Sequence, residues 1–278
     1  MKTKIIFCIT VLICLSFQGA GQTTNSIDHV NPLPIDTLYR IWPSPSPEVL
    51  SKGRKVWPLF GAKKMGIGKQ MELRVQPLFF FISPNLGLKK GWLHKNSWLI
   101  SSNHQINYPS IFLNMIAGEG AGGILPDNSQ IPPMITLKNE LLVGRYWYGL
   151  ATLRLGAATT FSFGDKDFPD IDLPFLYSRM LSFNHTPNLY AGINLRKGLS
   201  EQFHLEADFT AFKVDLTGNN AFVYESQLIV FWKLSTKFAI KAGAAASHGQ
   251  FPYGKDFRVI PLFDLLYGFG GKGKYTGR

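Results

Sequence analysis

Three groups of side chains in this 278-residue chain have types and spacings that could support chemistry. His185 lies close to Ser182 and Asn188, and His248 directly follows Ser247. A histidine beside a hydroxyl is the beginning of a nucleophile–base pair. For His248 the geometry is unfavourable, because neighbours along a strand point to opposite sides. Asp165, Asp167, Asp170 and Asp172 crowd one stretch, and carboxylates at that density can hold calcium. Their spacing lacks the EF-hand order, Pro169 and Pro174 stiffen the backbone, and a solvated acidic loop is the plainer reading. His204, Glu206 and Asp208 share one face, which suits a hydrogen-bond ladder better than an acid–base centre. No histidine pair has zinc-like spacing, and no cofactor is expected.

The composition removes other chemistries. Both cysteines, Cys8 and Cys14, fall within the first 21 residues, so the chain beyond has no disulfide, thiolate nucleophile or cysteine metal site. The glycine-rich block Gly118–Gly123 lacks the strand before it, the helix start after it and the lysine that a phosphate-cradling loop needs. The formal net charge is +11, but the basic residues are scattered in short pairs such as Lys63-Lys64, Lys89-Lys90 and Arg196-Lys197. No nucleic-acid motif accompanies them, and nucleic acid is not an expected partner.

The elements that must position these residues are strands. From Phe203 to Ala211, Phe203, Leu205, Ala207, Phe209 and Ala211 alternate with His204, Glu206, Asp208 and Thr210. A period of two puts one set on each side of a strand. The same alternation predicts strands over 71–82, 92–101, 106–116, 135–147, 150–163, 189–196, 203–216, 222–233, 238–247 and 257–269. Asn103-His104 would turn the second into the third, and Tyr148-Gly149 the fourth into the fifth. One face carries Leu153, Leu155, Phe161, Phe203, Phe209, Val259, Phe263 and Leu265. The other carries Glu72, Arg74, Lys138, Glu140, Arg154, Arg196, His204, Glu206, Asp208, Glu225, Lys233, Lys241, Arg258 and Asp264. Acids and bases are similar in number there, as an enclosed interior held by ion pairs requires. Asp264 is expected to meet Arg74 or Lys241. Trp92, Trp98, Tyr146, Trp147, Tyr148, Trp232 and Tyr267 suit girdles at a membrane interface.

Upstream, Lys2 and Lys4, an apolar run from Ile5 to Phe17 and the small residues Gly19-Ala20-Gly21 read as a secretory signal, residues 1–21. Residues 22–69 are punctuated by Pro32, Pro34, Pro43, Pro45 and Pro47 and read as a periplasmic leader, with an insert into the lumen as the alternative. Residues 70–269 are expected to close into a barrel, and 270–278 to be a Gly/Lys-rich tail. Connections at 148–149, 197–202 and 234–237 are short. Those at 164–188, 217–221 and 248–256 are mostly longer.

With this export signal, these alternating strands and the terminal strand Arg258–Phe269, the chain resembles bacterial outer-membrane β-barrel proteins. The resemblance implies an all-β, closed antiparallel transmembrane barrel in the bacterial outer membrane. The strand count is read as ten, with eight or twelve as alternatives. It also implies Sec export, insertion by the barrel assembly machinery, and outer-membrane lipids and lipopolysaccharide as partners. The leading functional expectation is a non-enzymatic barrel with a structural, binding or narrow-channel role. The alternatives are a deacylase-like hydrolase of outer-membrane lipid, and a soluble periplasmic β-sandwich or lipocalin-like binder.

Overall fold

The computed structural model describes residues 45–81, 83–117, 131–164, 187–216, 219–235, 237–251 and 254–270. The export signal, the leader up to residue 44, the glycine-rich block, His185, the four aspartates of the acidic stretch and the tail after Gly270 lie outside them.

Twelve strands run antiparallel, each beside its neighbour in sequence: β1 (Lys55–Pro58), β2 (Lys63–Gly68), β3 (Met71–Val75), β4 (Asn85–Lys95), β5 (Trp98–Asn107), β6 (Met134–Tyr146), β7 (Leu150–Ser162), β8 (Asn188–Gly198), β9 (Phe203–Leu216), β10 (Asn219–Lys233), β11 (Phe238–Phe251) and β12 (Gly254–Phe269). β1 pairs with β12 from Lys55–Phe269 to Pro58–Leu266, and this closes the sheet into a barrel. Among the described residues, two short helices, α1 (Pro77–Phe80) and α2 (Ser110–Ala117), sit in connections. The expected closed antiparallel barrel is what the strands form: one sheet curls onto itself, and the two stacked sheets of the sandwich alternative are not seen among the described residues.

The count is twelve rather than ten because β1 and β2 lie inside the segment read as a leader. They are four and six residues long, and Pro58, Gly66 and Gly68 mask their alternation. The barrel therefore begins at Lys55, not at residue 70. A second difference concerns Asn103-His104, which lies in mid-strand. The turn is at Asn96-Ser97, where both residues have positive φ, 49° and 63°. That is the backbone a two-residue hairpin needs, and asparagine tolerates it well. The stretch 106–116 is accordingly the end of β5 followed by α2. The strand predicted over 71–82 stops at Val75, before Pro77 opens α1.

One end of the barrel holds the short turns 69–70, 96–97, 147–149, 199–202 and 234–237, together with the start of β1 and the end of β12. At the other end lie the strand ends that lead into the longer connections 76–84, 108–133 and 163–187. The two other predicted long connections shrink to 217–218 and 252–253, because β9 to β12 extend to 14–16 residues.

The faces divide as period two dictates. Leu153, Leu155, Ile193, Phe209, Leu228 and Phe263 are exposed on the outside, whereas Glu72, Lys89, Asn103, Arg154, Asn194 and Glu206 are buried inside. Around the short-turn end, aromatic rings pack together on the outside: Phe203 stacks on Trp232 and Tyr267 on Phe269, Phe238 lies tilted against Tyr267, and Phe269 meets Trp57 edge to face. Tyr146 departs from the expected girdle and turns inward, where its hydroxyl donates to Glu48.

Not all of the interior is polar. Val56, Ile229, Phe231, Ala239 and Leu266 form an inward apolar cluster beside the β1–β12 seam, and Leu50 packs into it. Leu266→Ala should leave a cavity there and destabilise the barrel by about 2–5 kcal/mol. Leu265→Ala, one residue away and facing outward, removes no core packing and should fall well short of that. Heat-induced loss of the compact band on gel electrophoresis in detergent measures both; equal effects would contradict the assignment of faces.

Candidate functional site

A barrel of eight strands can be filled by its own side chains, but a twelve-stranded one leaves space along the axis. Residues 45–54 occupy that space. They run inside the wall, reverse through a turn in which Arg54 N–H donates to Ser51 O, with Gly53 at φ 77°, and continue into β1. For this part of the Pro-rich segment, the lumen insert replaces the leader. The prolines explain why it lies there as irregular chain: Pro45 and Pro47 remove backbone donors, so fewer buried N–H groups need partners.

The wall supplies the partners that remain. The Glu48 carboxylate pairs with Arg196 of β8 and accepts from the Tyr146 hydroxyl of β6. The Lys89 ammonium of β4 donates to the carbonyl oxygens of Ser46 and Glu48, the latter at 2.5 Å. Leu50 N–H donates to Glu72 Oε2 of β3 at 3.1 Å. Two glycines make room. A Cβ on Gly66 would lie 2.1 Å from Ser51 O, and one on Gly144 would lie 2.5 Å from Pro47 Cγ. Glycine within a strand marks such a close approach.

Beyond the insert, the inward charges join into networks. Glu72 bonds Arg74 Nε at 2.7 Å, with Lys64 Nζ at 3.9 Å. Glu140 meets Lys138 at 3.4 Å and Arg154 at 3.8 Å, and accepts from Asn103 at 2.5 Å. Arg154 Nη2 holds both oxygens of Asp208, at 2.7 and 2.8 Å. Asn194 bridges Glu206 and Asp208 at 3.1 and 3.4 Å. Breaking one partner of such a buried pair leaves a charge with nothing to compensate it, at a cost of about 3–5 kcal/mol. Cavities of about 240 and 250 Å³ flank the insert on its long-loop and short-turn sides. The first is basic, with Lys64, Arg74, Lys138 and Arg154 facing Glu140.

Each inward residue read from the sequence can be placed. Glu72, Arg74, Glu140, Arg154, Arg196 and Asp208 carry the pairs above. His204, Glu206 and Glu225 are buried on the inner face, and Lys241 is half-buried there. Asp264 does not meet Arg74 or Lys241. It accepts from Leu59 N–H at 2.9 Å and Phe60 N–H at 3.1 Å, fixing the β1–β2 turn, while Arg74 goes to Glu72. Ser247 is buried inside and His248 exposed outside, so they form no nucleophile–base pair. No cluster able to hold a metal occurs among the described residues. The sequence reading missed Glu48 and Lys89. Strand phase places Lys89 inside and Lys90 outside, so an apparent basic pair is split by the wall.

No protein-family model and no curated protein matches the chain.

Burial by itself would raise the Glu48 carboxyl, but Arg196, the Tyr146 hydroxyl and Lys89 together hold it below its ordinary value. Its contribution to seating the insert is therefore full above about pH 4.3 and is lost as pH falls through the lowered folded value. A spin label replacing the exposed Lys52 should sharpen to a mobile spectrum between neutral and strongly acidic pH. In Glu48→Gln the label should be more mobile at neutral pH and respond less to acid. An identical titration in that variant would remove Glu48 from the account. Gly144→Leu should mobilise the same label without changing strand content; an immobile label would contradict the close packing of the insert.

Proposed function

We propose that the chain is an integral barrel of a bacterial outer membrane whose lumen is stoppered by its own residues 45–54. The observation that carries this reading is the polarity of the wall. Large apolar side chains face outward on strand after strand, while ionised groups are enclosed and paired. Acyl chains reward such an exterior, and a bilayer demands that every backbone group be bonded within a closed sheet. The short turns, with the start of β1 and the end of β12 beside them, suit the periplasmic end, and the long connections suit the outer one. The aromatic rings near the short turns suit an interfacial belt. Residues 1–21 would be the cleaved signal for Sec export, and the barrel assembly machinery would insert the strands among outer-membrane lipids and lipopolysaccharide.

In this reading the resting barrel does not conduct. A structural or binding role is available at once, and transport only when the insert leaves. Reconstituted wild-type protein should leave planar bilayers silent at neutral pH, whereas deletion of residues 45–52 should give discrete current steps. Equal conductance in the two proteins would overturn the stopper, and release of the wild type from membranes by carbonate without detergent would overturn the integral barrel.

A further inference from the structure

The outer wall carries one polar patch that the lumen account does not use. Among the described residues its other mid-strand positions are mostly apolar, as with Leu153 and Leu155 of β7, Ile193 of β8 and Phe263 and Leu265 of β12, Ser226 of β10 being an isolated exception. On β4 to β6, Lys90, Ser102, His104 and Asn139 stand together instead. Ser101 and Asn103 are buried inside, so period two turns Ser102 and His104 outward on β5. His104 is in register with Asn139 of β6, and Ser102 with Lys90 of β4.

The side chains form a directed chain. His104 Nδ1 lies 2.7 Å from Asn139 Oδ1, and His104 Nε2 lies 3.0 Å from Ser102 Oγ. A carbonyl oxygen only accepts, so Nδ1 carries the proton and Nε2 is left as the acceptor for the Ser102 hydroxyl. The indole N–H of Trp92 donates to Ser102 Oγ at 2.8 Å. Trp92 reaches it because a bulge between Gly91 and Leu93 sets it out of the β4–β5 ladder. A hydroxyl bonded to an imidazole that a third group orients is the arrangement of an activated nucleophile. Ionisable side chains facing hydrocarbon are expensive, and where they persist they mark function.

The geometry points to an ester-hydrolysing site on the outside of the barrel, with Ser102 as nucleophile, His104 as base and Asn139 as the positioning residue. The substrate class is the carboxylic ester of a membrane lipid, presented from the side by the bilayer. Leu88, Ile106, Leu137 and Leu141, exposed around the patch, would meet its acyl chains. Ser102 Oγ attacks the ester carbonyl as its proton passes to His104 Nε2. The tetrahedral adduct collapses, and the alcohol leaves with that proton. Water then attacks the acyl-serine by the same route, releasing the carboxylic acid and restoring the hydroxyl. The Trp92 N–H, 2.8 Å from Ser102 Oγ, is placed to donate to the developing oxyanion, while the Lys90 ammonium donates to Lys69 O at 3.0 Å. This inference rests on the membrane reading for its substrate, but not for its nucleophile.

The test uses the full chain in detergent with three probes: diacyl phospholipid in mixed micelles, a short-chain nitrophenyl ester in water, and an alkyl fluorophosphonate mapped by peptide mass. Phospholipid should release fatty acid, and the fluorophosphonate should label Ser102. Ser102→Ala and His104→Gln should each lower turnover by about a thousandfold or more while keeping the compact, heat-modifiable band. Asn139→Ala should lower kcat and shift the pH profile, and Asn139→Asp should restore both. A folded barrel that neither hydrolyses any ester nor takes the label overturns the site, as does turnover surviving in Ser102→Ala. Labelled Ser102 on a protein that carbonate releases from membranes would support the site and overturn the membrane reading alone.

Discussion

The structure depends on four residue pairs. From Lys55–Phe269 to Pro58–Leu266, β1 joins β12 and closes the sheet into a ring. Without these pairs, the Leu266–Phe269 end of the sixteen-residue β12 would have no partner on this side and the ring would stay open. So short a strand closes a ring only if it is held from elsewhere. Val56 is buried against Leu266 and its neighbours, and Leu50, six positions upstream, enters the same cluster from within the lumen. Seam and insert are thus one device. The chain leaves the lumen through the turn at Gly53 and becomes the closing strand at once.

That coupling accounts for the chemistry of the interior. An insert without secondary structure needs external partners for its backbone, and Lys89 and Glu72 provide them. Those charges must themselves be compensated where water is scarce, so each recruits another: Glu72 takes Arg74, and Glu48 takes Arg196. Arg154, between Glu140 and Asp208, extends the same logic to the opposite wall. The outer face needs none of this. The hydrogen-bonded patch of Ser102, His104 and Asn139 stands out there because nothing in the barrel's closure requires it.

The strands from β6 onward were legible in the sequence because long alternating runs leave no other period to fit. β6, β7, β9 and β12 lie within a few residues of their expected bounds, and their inward charges fall on the predicted phase. The short strands were not. β1 and β2 have too few residues to show a period, and prolines around them suggested extended chain. The hairpin at Asn96-Ser97 was displaced to Asn103-His104 because a polar dipeptide in mid-strand resembles a turn. That error also hid the outer-wall patch, since a residue read as a turn has no face. Glu48 was illegible for a different reason: a lone acid among prolines has no partner until the topology brings Arg196 to it from 148 residues away.

The account stands on which way the side chains of the wall point. Single spin labels placed in turn at each position of β7, Leu150–Ser162, in the protein reconstituted into a lipid bilayer, measure this directly through their collision rates with oxygen, which concentrates in acyl chains, and with a water-soluble nickel chelate. The account predicts a period-two pattern, with oxygen maxima at Ala151, Leu153, Leu155 and Ala157 and little nickel contact there. Oxygen maxima at Thr152, Arg154 and Gly156, a flat profile, or nickel collisions dominating at Leu153 and Leu155 would contradict it.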